Sequence, residues 1–134
     1  VEITSRAGSI TLKDLNVNIG TSKSAEASNS VKLLADKDIT LGKINLVASN
    51  TAKNGKASAS LTLGNVNTDN VNITGSSMLV KAQSEGTTDT TKPAVTLEYG
   101  QNAVVKSSLN EFNLKAVNGK GLNTGTITKI GSQF

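Results

Sequence analysis

Residues 31–48, VKLLADKDITLGKINLVA, set the narrowest limits on what this chain can become. Val31, Leu33 and Ala35 alternate with other residues, Asp36-Lys37-Asp38 breaks the pattern, and Ile39 and Leu41 resume it. Gly42-Lys43 breaks it again before Ile44, Leu46 and Ala48. Period-two runs this short read as strands joined at corners, each with an apolar side that it cannot bury alone. They need copies of themselves above and below.

The chain supplies such copies. The form apolar-Thr-Leu-x-x-apolar-Asn-apolar occurs from Ile10, from Ile39 and from Leu61, with Thr68 in the last apolar place, and in degenerate form from Ser107. These starts are 29, 22 and 46 residues apart, the last about two periods of 23. A repeat of 20 to 30 residues mixing short strands with corners is the signature of a solenoid. The fold expected is therefore all-β, a right-handed parallel β-helix of about five to six coils with protruding loops, roughly 25 to 30 Å long at the inter-strand spacing. Leu12, Leu41, Leu63 and Leu109 would stack as one core column. Asn16, Asn45, Asn67 and Asn113 would form an amide ladder, each side chain bonding its neighbour along the rod as in cross-β structures, with ligand contact as the alternative.

Composition enters in support. An apolar fraction of 36% with 2% aromatics in 134 residues is thin for a globular interior but suits a narrow aliphatic stack. The Ser, Thr, Asn and Gly that fill the rest would otherwise suggest disorder, and the regular Ile/Leu/Val alternation argues against it. Polar runs beginning near 21, 50, 84 and 118 read as loops, among them an exposed loop over residues 21–30 and a turn at Asn54-Gly55. Their similar phase predicts insertions that emerge from one side of the solenoid. The chain opens on Val1 within an alternating run and has no initiator Met, so residues 1–134 read as a single solenoid segment excised from a longer chain.

The chemistry is sparse. The net charge is +4, but Arg6 is the only arginine, the thirteen lysines are scattered, and Tyr99, Phe112 and Phe134 cannot make a base-stacking platform, which argues against nucleic acid. No apolar run approaches the length of a membrane span. Without His or Cys, no zinc thiolate, disulfide or Cys nucleophile is available. Asp36 and Asp38 flank Lys37 and could offer two carboxylates to Ca²⁺, but the further acidic ligands of such a site are missing, and Asp69-Asn70 reads the same way. No catalytic, metal or cofactor residues are assigned. The Asn72-Ile73-Thr74 sequon is of a kind that chance supplies in an Asn- and Thr-rich chain. A Thr-x-Thr row at Thr124-Gly125-Thr126-Ile127-Thr128 hints at ice binding, which would need one such pair per coil at constant phase, and the irregular coil lengths argue against that.

With the repeats laid out, VKLLADKDITLGKINLVA and, more loosely, VEITSRAGSITLKDLNVNI and FNLKAVNGKGLNTGTITKI resemble the β-helical shaft of filamentous haemagglutinin-like exoproteins of two-partner secretion systems. The resemblance covers about half the chain, and the long loops and the break after Tyr99 depart from it. It implies a secreted protein of the bacterial cell surface: an adhesin, or the stalk of a contact-dependent toxin. Its implied partners are an outer-membrane transporter and a receptor or glycan on a host or neighbouring cell. The shaft of that family has no active site. A polysaccharide-acting β-solenoid enzyme or phage tailspike fragment is the second expectation, and an ice-binding solenoid the third.

Overall fold

The computed structural model describes residues 1–23, 25–66, 70–86, 91–106, 113–132 and 134. Ten strands follow one another: β1 (Glu2–Ser5), β2 (Ile10–Thr21), β3 (Glu26–Ala35), β4 (Ile39–Asn50), β5 (Lys56–Asn65), β6 (Val71–Ser84), β7 (Ala94–Tyr99), β8 (Ala103–Val105), β9 (Leu114–Val117) and β10 (Thr126–Ile130). They alternate between two sheets. The first has the order β1-β3-β5-β7-β10, and the second β2-β4-β6-β8, with β9 also paired to β6. Every pairing is parallel. A chain that visits two parallel sheets by turns, with β8 and β9 falling in succession on the second, is a β-solenoid, here of about 4 turns.

The coil count is lower than the sequence repeat suggested because the true coil is longer. Register advances 29 residues from Ile10 to Ile39, 34 from Ile39 to Ile73 and 36 from Ser58 to Ala94. At the usual inter-strand spacing, four turns make a rod about 20 Å long. The 22-residue step from Ile39 to Leu61 joins two different sheets and is no coil at all. Leu12 and Leu41 do stack in register, and the next position in their column is Gly75. Leu63 does not join them: it lies on the first sheet, between Leu33 and Tyr99. The true third copy is Ile73-Thr74-Gly75, in register with Ile39-Thr40-Leu41. Leu109 lies outside the described residues.

The interior is a set of aliphatic columns. Leu33 and Leu63 continue to Tyr99, Val31 and Leu61 to Leu97, and Leu46 to Val80, all buried. The second sheet bends partway along its strands. Leu41 and Ile44 both point inward although three residues apart, and the register skips Lys13 and Gly42 between its two limbs. A Cβ on Gly42 would fall 1.5 Å from the Lys13 carbonyl oxygen, so only glycine lets the coils approach at this corner.

Residues 26–30, expected in a loop, belong to β3. Ala27 stacks on Ala57 and Asn29 on Ala59, all buried. Residues this small carry little hydropathy signal, yet they fill the interior beside the loop-bearing corner, where Ala48, Ala82 and Ala116 also stack.

Candidate functional site

The second limb of the second sheet turns the amide positions outward. Its outward-facing rows are Asp14, Asn16 and Asn18 on β2, Lys43, Asn45 and Val47 on β4, and Leu79, Lys81 and Gln83 on β6, followed by Lys115 on β9; Asn45, Val47 and the three β6 residues are half-buried. Asn45 Nδ2 donates to Asn16 Oδ1 at 3.1 Å, and Asn18 Nδ2 donates to the same oxygen at 2.9 Å. The ladder is therefore real for one step. It stops at the next coil, where Leu79 stands in register with Asn45. Asn113 is on the far side of Leu79 and lines a shallow depression with it, Lys43, Asn45 and Ser77. Asn67 lies outside the described residues.

A second depression, lined by Asp14, Leu15, Asn16, Lys43 and Asn45, adjoins the first. Lys43 and Asn45 are common to both, so the two form one groove crossing the coils beside the Gly42 corner. The Asp14 Oδ1 accepts the Lys43 backbone N–H at 2.9 Å, which ties two coils together. Amides, a lysine and an aliphatic floor can hold a hydroxyl-rich chain by hydrogen bonds and CH contacts.

All four loops leave the rod at one corner, as their phase predicted. Thr21, Asn50 and Ser84 end β2, β4 and β6 in mutual register, and Asn118 follows β9 at the equivalent place. Thr21, Asn50 and Asn118 hold their own loops, and Ser84 ties to a neighbouring coil. Thr21 Oγ1 accepts the Lys23 N–H at 3.2 Å, and Asn50 Oδ1 accepts that of Ala52 at 3.0 Å. Ser84 Oγ accepts the N–H of Ala57 at 3.0 Å, across to the coil before. Asn118 Oδ1 accepts the N–H groups of Lys120 and Leu122 at 2.9 and 3.1 Å. Asn50, Ser84 and Asn118 are buried, so these bonds replace water on groups that would otherwise be costly to leave unmade. This column was missed in the sequence, although polar residues at 21, 50, 84 and 118, spaced 29, 34 and 34, carry the coil period plainly. A further interior amide, Asn29, donates to the Val17 and Val47 carbonyls and so bridges the two sheets.

The acidic corner behaves as a joint. Asp38 Oδ1 accepts from Asn72 Nδ2 at 3.2 Å in the next coil, and no group of three or more metal-ligating side chains exists among the described residues. The sequon's asparagine is thus engaged in that bond. Tyr99 is 2% exposed, its hydroxyl has no hydrogen-bond partner among the described residues, and burial pushes its pKa up to about 12. A phenol so reluctant to ionise packs as a core ring, stacked on Phe134 at 5.4 Å.

The outward side of the first sheet is different again. Ser28, Ser58, Ala94 and Thr126 form one column, and Ser30, Ser60, Thr96 and Thr128 the next. The irregular coil lengths do not disturb this phase, because the extra residues sit at corners. Among the described residues, no helix is long and apolar enough to cross a membrane. No family model matches the chain, and no curated protein or solved structure matches it, so what its own residues establish is a parallel β-solenoid with outward polar columns.

Proposed function

We propose that this chain is a non-catalytic segment of the shaft of a secreted bacterial surface adhesin, filamentous haemagglutinin-like in kind, which mediates adhesion or holds a distal binding or toxin end away from the cell. The observation that carries the reading is the in-register stack itself. Leu33, Leu63 and Tyr99, with Leu46 and Val80 opposite, make an interior with no chemistry, while the outward columns are amides, hydroxyls and lysines suited to contact. The sequence resemblance to such shafts supplies the class and the export route, with a receptor or glycan and an outer-membrane transporter as partners.

The test is direct. Antibody raised against this segment should label intact cells of the source bacterium, and beads coated with the segment should adhere to host or neighbouring cells. Labelling only after permeabilisation would end the surface assignment. Incubation with polysaccharides should release no reducing ends, and release would favour the enzyme reading. One observation favours the ice-binding reading second: the hydroxyl column of Ser30, Ser60, Thr96 and Thr128 holds constant phase over four strands. Thermal hysteresis of the purified chain, abolished by Thr96→Tyr, would establish it.

A further inference from the structure

Among the described ladders, four places set one charged residue in register with another. Glu2 faces Lys32, Asp14 faces Lys43 and Glu26 faces Lys56, all of opposite sign. The fourth is Lys81 on Lys115. Like charges directly opposed on neighbouring strands destabilise a sheet, and neither lysine has a carboxylate partner among the described residues. The other three places set opposite signs together, and only here do two like charges meet, which leaves this pair for something outside.

The surroundings of the pair say what that something is. One column over, at the i−2 positions, stand Asn45, Leu79 and Asn113, which line the groove together with Lys43 and Ser77. Carboxamides and a serine offer donors and acceptors together, which fits hydroxyl groups, and Leu79 gives an apolar floor for the CH face of a sugar ring. An added peptide strand finds no vacancy here, because the backbone of β6 is already bonded to β4 on one side and β9 on the other. Scarce aromatics and a single arginine disfavour nucleic acid. The geometry points to a linear polysaccharide bearing one carboxylate per sugar residue, lying along the rod with successive carboxylates on Lys81 and Lys115 and its rings over Leu79 and Asn113. Coils repeat every 4.8 Å or so, a distance comparable to the length of one sugar ring, so one ring can lie against each coil. This inference deepens the adhesive reading and rests on it for its biological setting.

The experiment titrates the full 134-residue chain with an oligogalacturonate heptamer, followed by backbone amide shifts, beside maltoheptaose as the neutral chain and dextran sulfate as the sulfated one. The uronate should move the amides of Lys81, Lys115 and Asn113, weaken with salt, and bind more tightly than either alternative. Lys81→Gln and Lys115→Gln should each lower affinity about threefold to fivefold, and the pair together about tenfold or more, as exposed charge contacts do. Lys32→Gln, on the other sheet with the same loss of charge, should change it less than about twofold by the same reckoning. The Gln variants should keep or raise the melting temperature, since they relieve a like-charge pair. Equal effects from Lys32→Gln, equal binding of maltoheptaose, preference for dextran sulfate, or no binding at all would each overturn the inference. The two proposals fail separately. Adhesive beads whose adhesion survives the double variant leave the adhesin and remove the lysine strip; uronate binding by a chain absent from the cell surface does the reverse.

Discussion

The middle coils and the last strand place their residues in the same columns, yet only the middle is buried. Leu61 and Leu97 are fully covered, while β10 puts Lys129 next in that column and Ile127 beside it, above Val95, with Ile127 36% exposed. At the other end, Ile3, Leu12, Leu15 and Val17 occupy inward positions and are only half-buried. An inward position in a solenoid is a place, and burial requires a coil on both sides. Lysine is tolerated where the column ends on the last strand of its sheet among the described residues, with its ammonium 5.8 Å from the Phe134 ring. Stability should therefore be concentrated in β3 to β7 and fall toward both ends.

The sharpest way to break that contrast is at Gly42, where a middle coil touches the end coil beside it. Gly42→Val drives a side chain into the Lys13 carbonyl and should cost more than about 4 kcal/mol, so that the variant fails to give a cooperative thermal transition. A variant with an unchanged melting curve would mean that the corner has slack. Core deletion should then separate middle from end. Leu46→Ala should cost about 2 to 5 kcal/mol in urea unfolding, and Ile127→Ala less than about 1 kcal/mol, because only the first leaves a cavity. Equal losses would show that the last strand is covered in solution.

Tyr99 sharpens the comparison at the last covered position of its column. Its folded pKa of about 12 lies above the ordinary value near 10, so stability is complete below pH 10 and falls between pH 10 and 12 as the unfolded chain alone ionises. The loss should approach about 2 to 3 kcal/mol, and Tyr99→Phe should remove that slope when both are followed by circular dichroism against pH. An identical alkaline slope in the variant would place the hydroxyl in solvent. The smallest contrast lies at the loop corner. Asn50→Ala, which strips a buried amide from three backbone partners, should cost about 1 to 3 kcal/mol, and Thr21→Ala in the end coil less than about 1 kcal/mol. Hydrogen exchange at Ala52 should quicken in the first variant.

Much of the candidate groove was legible in outline. Asn16 and Asn45 bond as a ladder because the 29-residue step between them is a true coil. The continuation was not legible, since Leu79, in a stretch with no apolar-Thr-Leu match, turned out to be the next rung. The corner column of Asn50, Ser84 and Asn118 escaped notice because a polar residue before a loop looks like part of the loop until burial is known.

Alternation, the repeated motif and the spacing of the polar runs were enough to decide that this chain makes short strands, that they stack in parallel, and that loops leave from one side. A period-two pattern states which residues face inward, and that is a local property of the backbone. Which strand lies on which is a different matter. Leu61-Thr62-Leu63 and Ile39-Thr40-Leu41 present the same alternation to any local test, and only packing could send one to the first sheet and the other to the second. The Gly42 contact with Lys13, the Asn29 bridge and the Lys81–Lys115 pair all join residues from different coils. Coil length, and with it each of those meetings, is decided by where the corners close.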